Sequence, residues 1–267
     1  MASPWTAALI AIFAWWFFTG VILLLVRRAD AGDPVGHGRN VFLSIPLCAL
    51  GVGGLLISST EVTLGNVYIA FISSLLIWGW IELAFLAGVI TGPERRACPA
   101  RLTGKARFIR AWHTVSHHEI LLLFALFVIL VITHSAPNTI GFWTYLILFV
   151  ARISAKLNLF FGVPRINTEF VPYPLEHLKS YFQKGPVTLA FPIGVTFLSI
   201  SAAFFAERLI AAQSAPIIVS YALLTALAAL ATLEHWLMVV PLPDAKLWRW
   251  MLPQPSHYPA KDKTHEL

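Results

Sequence analysis

Long apolar runs, interrupted by short polar ones, dominate the pattern of this chain. Seven runs are long enough to cross a hydrocarbon core, which takes about 20 residues of helix. They cover residues 5–26, 40–58, 66–90, 112–133, 140–161, 187–206 and 216–240. The pattern predicts an all-α, polytopic integral membrane protein with about seven transmembrane helices. One transmembrane helical domain fills residues 1–267, without internal repeats or a low-complexity linker. Between the fifth and sixth runs, "PLEHLKSYF" (174–182) puts Leu175, Leu178 and Phe182 at helical spacing, with Glu176 and Lys179 elsewhere. This predicts a short interfacial helix, either a lid over a cavity or a plain connector.

Composition agrees with the pattern. The chain is 58% hydrophobic and 12% charged, against about 25% charged in a soluble domain. Charge then orients it. Of the 19 Lys and Arg, Arg208 alone falls on one side of the predicted bilayer, and the rest fall on the other. The positive-inside rule therefore predicts an N-terminus outside and a C-terminus in the cytoplasm, with a cytoplasmic tail over 242–267. The net charge of +6 is then a basic face meeting anionic headgroups of the lipid bilayer, and needs no nucleic acid partner. The first run lacks a basic n-region and a small-residue cleavage site, so it is expected to remain as an anchor. Cys48 lies mid-span and Cys98 in a loop, so no disulfide framework is implied.

Small residues mark close helix approach: Gly51, Gly53 and Gly54 in the second run, and the Ala-rich 222–233 in the last. Trp15 and Trp16, deeper than an interfacial belt, are expected to face lipid or packing partners.

Charge inside a bilayer is costly, so each intramembrane ionisable residue is a candidate for function. Glu82 and Arg152 lie about ten residues from the basic ends of their runs, roughly 15 Å deep at helical rise. Matching depth predicts that Arg152 pairs with Glu82 or with Glu234. Lys156 is one turn nearer the surface and can snorkel. Asn158, Glu234 and His235 lie at the same end. These residues predict a polar cavity, with Glu82, Glu234 and Lys156 lining it and Arg152, Asn158 and His235 as candidate ligand contacts.

The fourth run opens with "WHTVSHHE" (112–119). His113 and His117, four apart, share a helix face and are the pair that can ligate one metal ion or a tetrapyrrole. His118 and Glu119 turn further round and are expected to form a polar cap at headgroup level. His113, His117 and His235 are expected to converge on one cavity with Glu82 at its floor. The H-x3-H-H cluster resembles one of the three histidine boxes of membrane di-iron hydroxylases, but the other two boxes are missing. No nucleophile elbow, phosphate loop, dinucleotide fingerprint or paired C-x-x-C is present.

"RISAKLNLFFGVPRINTEF" (152–170), "LEHLKSYF" (175–182) and "LEHWLMVVPLPDAKLWRW" (233–250), together with "SHHE", resemble the PuhE family of photosynthetic complex assembly proteins of purple phototrophic bacteria. The resemblance runs along essentially the whole chain. It implies a multi-pass inner-membrane protein that helps assemble the reaction-centre and light-harvesting apparatus, or handles bacteriochlorophyll. Photosynthetic complex subunits or pigment-synthesis enzymes are the implied partners. It implies no established reaction and no catalytic residues. Two other readings stay open: a metal-dependent oxidoreductase acting on a tetrapyrrole or lipid, and a small-solute transporter.

Overall fold

A computed structural model describes residues 2–32 and 35–241; the tail expected at 242–267 lies outside the described residues. These residues form α1 (Pro4–Asp30), α2 (Val35–Leu43), α3 (Ile45–Ser58), α4 (Leu64–Leu86), α5 (Gly104–Thr133), α6 (Ile140–Phe161), α7 (Ala190–Ala211) and α8 (Ala215–Leu237). Two 3-10 segments, Thr168–Phe170 and Tyr173–Tyr181, lie between α6 and α7. Seven helical spans are long and apolar enough to cross a membrane, with α2 and α3 together making the second. That span is broken at Ser44, two residues before Pro46. Proline has no N–H and its ring crowds the preceding turn. The Ser44 hydroxyl instead donates to Val41 O at 2.9 Å.

The helix ends follow local chemistry. Pro4 opens α1 in its first turn, where a missing N–H costs nothing, and Arg27 and Arg28 close it at the negative end of the helix dipole. The Thr63 side chain accepts the Asn66 N–H at 3.2 Å and caps α4. Gly162 ends α6 at φ +135°, a backbone conformation that side chains disfavour.

α4 is the central helix: 67% of its span is buried, against 22% for α1. It packs on α1, α3, α5, α6 and α8. Close approach is made by small residues. A Cβ on Gly51 or Gly54 would meet Ser73 of α4 at 2.8 and 2.2 Å, whereas Gly53 faces open space. α1 buries Ala7, Ala11 and Ala14 and packs on α8, which buries Ala222, Ala228 and Ala231. The outer faces carry large exposed side chains such as Phe13, Phe124, Phe127, Phe197 and Ile200, as expected of surfaces turned to lipid.

The α6–α7 connection is pinned at its base. Val163 N–H donates to Gln183 O (3.2 Å) and Gly185 N–H to Val163 O (3.1 Å). The segment expected as a short interfacial helix is a 3-10 helix, and Leu175, Leu178 and Tyr181 are its buried residues. A spacing of three eclipses side chains on a 3-10 helix, so these three form one buried edge. Leu175 and Leu178 pack with Phe85 and Val115. Arg107 on α5 ties this segment down, donating to Phe160 O (3.2 Å) and Tyr181 O (2.6 Å).

Candidate functional site

A cavity of about 660 Å³ opens among α1, α4, α5, α6 and α8, with the α6–α7 connection across one end. Its volume lies in the range of small-molecule sites. Most of the wall is apolar and much of it aromatic, with Trp15, Trp78, Phe85, Phe108, Trp112 and Phe160 contributing. Polar groups gather on one side. Glu82 comes from α4, Glu119 from α5, Arg152 and Lys156 from α6, and Glu234 from α8.

These charges are organised around a buried histidine. Arg152 Nη2 lies 2.6 Å from Glu82 Oε2, one of the two pairings that depth allowed. Glu82 Oε1 faces His118 Nε2 at 3.5 Å, an electrostatic contact longer than a good hydrogen bond. His118 is 0% exposed. Its Nδ1 lies 2.9 Å from Lys156 Nζ, and Lys156 also pairs with Glu119 Oε1. Glu119 Oε1 lies 3.4 Å from the same Nδ1, so imidazole, ammonium and carboxylate meet at one point. Phe85 packs on the His118 ring at 4.2 Å between centroids, and Lys156 Nζ sits 4.9 Å from the Phe85 centroid. Two carboxylates and two cations alternate through the network. That compensation is what makes four charges tolerable within a span.

The backbone of α5 is held at this point by the α4–α5 connection. His118 N–H donates to Thr91 O (3.0 Å), and His113 O accepts from Glu94 N–H (3.1 Å). Gly92 allows the contact, because a Cβ there would stand 2.1 Å from His113 O. Glu94 anchors the same connection: it accepts the Arg96 N–H at 2.8 Å and pairs with Arg110 at 2.8 Å. Those contacts, the Arg96 amide first, hold its carboxyl below the usual carboxylate range. Tyr181 links the two connections. Its Oη accepts from Arg110 Nε (3.2 Å) and donates to Arg96 O (3.1 Å).

The structure divides the histidine cluster differently from the sequence reading. His113 and His117 are exposed and line no part of the cavity, whereas His118 and Glu119 are buried. The expected convergence of His113, His117 and His235 over Glu82 therefore does not occur. The reason is helix phase. His117 lies on the strip with Ile120 and Phe124, both exposed, while His118 lies with Thr114 and Leu122, both buried. Thr114, Ser116, His118 and Glu119 are the inward residues of this stretch, on the face opposite the apolar strip of Ile120 and Phe124 on which His117 lies. That contrast with the large apolar outer strip was the available signal, since lipid takes the most apolar face. Among the described residues no group of three or more His, Cys, Asp or Glu is placed to hold a metal ion.

The other expected residues are distributed as follows. His235 is buried at the cavity edge with both ring nitrogens engaged, Nδ1 at 2.8 Å from Ala231 O and Nε2 at 2.9 Å from Ser154 Oγ. It ties α8 to α6 and has no nitrogen left for a ligand. Asn158 is buried, donates to Ser154 O at 2.9 Å, and is not a cavity-lining residue. Lys156 does not snorkel to the surface but turns into the network. Glu234 faces the cavity and accepts from Trp15 Nε1 at 3.1 Å. Trp15 is thus a cavity residue rather than a lipid-facing one. Arg165 donates to Leu237 O (3.1 Å) and Val240 O (2.5 Å), capping the carbonyl end of α8.

These features define a polytopic α-helical membrane protein with an internal, largely aromatic cavity and a buried charge network on one wall. The chain belongs to the DUF3623 family, described as a protein of unknown function, whose model matches residues 1–258. It is 46% identical over 253 residues to an uncharacterized 30.4 kDa protein in the puhA 5' region of Rhodobacter capsulatus, covering 95% of this chain and 92% of that protein. No solved structure gives a significant match.

Proposed function

We propose that this protein is a non-catalytic assembly factor of the bacterial inner membrane that serves the photosynthetic apparatus, and that its cavity holds a pigment-class molecule in transit. The cavity carries this reading: about 660 Å³ of largely apolar, aromatic-walled space within the spans, with a few charged groups among its lining. Flat aromatic walls suit a flat macrocycle. The relative's place in the puhA 5' region supports the photosynthetic context, as does the resemblance to the PuhE family. Reaction-centre or light-harvesting subunits, or pigment-synthesis enzymes, are the proposed partners. A tetrapyrrole would be held by wall contacts and by polar groups at its edge. Axial ligation is disfavoured for His235, whose two ring nitrogens are both hydrogen-bonded, and for His118, which does not line the cavity.

The test is genetic and spectroscopic. The relative's gene is deleted in Rhodobacter capsulatus and this chain is supplied in trans. The expected result is weaker reaction-centre and light-harvesting absorbance bands in deletion membranes, normal growth without photosynthesis, and recovery with this chain. An equal growth defect in both modes would overturn the reading. No specific observation favours a metal-dependent oxidoreductase or a transporter.

A further inference from the structure

The charges on the cavity wall are layered. Glu82 and Glu119 side chains are 8% and 6% exposed, while those of Arg152 and Lys156 are 31% and 21% exposed. The carboxylates stand behind and the cations in front. The cations also retain donors. Arg152 binds Glu82 through Nη2 and makes no second ion pair among the described residues, so the part of its guanidinium that is exposed is open to a ligand, while its Nε is buried out of reach. Lys156 has three N–H groups, and His118 Nδ1 and Glu119 Oε1 take two of them. A network built only to neutralise itself would not leave its cations facing the cavity with donors spare.

We infer that the cavity is selective for an acid: an apolar molecule bearing one carboxylate, which docks on Arg152 and Lys156 while its body lies against the aromatic wall. The inference rests on the proposal that the cavity is a ligand site, and names the chemistry of the ligand. A guanidinium and an ammonium side by side suit a carboxylate, one by a planar fork and the other as a point charge. Glu82 and Glu119 already offset the two cations, so a group with a single negative charge suits the site better than a phosphate or a diacid. Two sources share this chemistry: a tetrapyrrole with one free propionate, and a fatty acid from the bilayer.

Native mass spectrometry of the detergent-solubilised full chain, with four probes, tests the inference. The probes are pheophorbide a, its methyl ester, oleate and methyl oleate. At least one acid should bind about 10- to 100-fold more tightly than its ester, the range expected for hydrogen bonds to a charged group. Replacing the Arg152–Glu82 pair, Arg152→Met with Glu82→Gln, removes both charges together and should narrow the acid's advantage over its ester at least several-fold. Equal binding of acid and ester to the unaltered protein overturns the inference, as does failure of both acids to bind. If oleate shows the preference and pheophorbide does not bind, the acid site stands and the pigment reading falls. If pheophorbide and its ester bind equally and oleate shows no preference over its ester, the pigment reading stands and the acid site falls.

Discussion

His118 is the residue on which the polar site turns. It is fully buried and bridges the Arg152–Glu82 and Lys156–Glu119 pairs, so its removal disconnects them. Deleting one member of a buried ion pair exceeds the cost of deleting both, because the survivor keeps an uncompensated charge. Glu82→Ala should therefore lower the thermal stability of the detergent-solubilised protein strongly. The loss should fall at or below the roughly 3–5 kcal/mol of fully buried pairs, since the Arg152 side chain is 31% exposed. Glu82→Gln with Arg152→Met should cost less than Glu82→Ala, and a larger loss in the double variant would refute the pairing. The same melting measurement separates the histidines. His118→Ala should destabilise by about 1–3 kcal/mol, the cost of leaving buried polar partners unsatisfied. His113→Ala and His117→Ala, both exposed, should stay within about 0.5 kcal/mol of the parent.

At the scale of elements, the site depends on how the α4–α5 connection grips α5. Thr91 and Glu94 bond to the backbone of α5 at His118 and His113, which sets the rotation of the helix and turns His118 inward. Gly92 is the tightest point of that contact. A Cβ would meet backbone atoms, His113 O at 2.1 Å and Thr114 C at 2.7 Å, and neither can swing away as a side-chain tip could. Gly92→Ala should therefore destabilise by about 1–3 kcal/mol, as overpacking does, and should disturb the His118 network. Gly53→Ala, at a position open to lipid, is the matched control and should leave the melting temperature unchanged or slightly raised. A Gly92→Ala protein as stable as its parent would remove this connection from the account.

At the scale of the molecule, the basic connections gather at one end. Arg27 of α1 donates to Glu169 O in the α6–α7 connection, and Arg107 and Arg110 of α5 reach Tyr181. At the opposite end, Asn138 donates to Ser58 O (2.9 Å) and Asn66 O (3.2 Å), joining the two connections that carry no Lys or Arg. The positive-inside rule predicts that the first end faces the cytoplasm. Reporter fusions at residues 59–63, 134–139 and 212–214 should therefore report the periplasm. A cytoplasmic signal at any of the three would contradict that orientation. In this orientation the cavity and its 3-10 cover lie on the cytoplasmic side.

The seven spans, their all-helical character and the matching depth of Glu82 and Arg152 were legible in the residues alone. Each depends on a one-dimensional quantity: run length against bilayer thickness, and distance along a helix from its end. The rotation of α5 was not of that kind. Two histidines spaced by four define a face, but which face turns inward is set by the backbone bonds of Thr91 and Glu94 and by close approach at Gly92. Those contacts are long-range, and they exchanged His113 and His117 for His118 and Glu119. Trp15 joined the cavity for the same reason, since α1 is oriented by its buried alanines. The buried edge of the Tyr173–Tyr181 segment was likewise not legible, because Leu175 and Leu178 pack against Phe85 and Val115, a surface that exists only once α4 and α5 are in place. Depth in the membrane can be counted along a sequence; direction within the bundle is decided by neighbours that only the folded chain brings together.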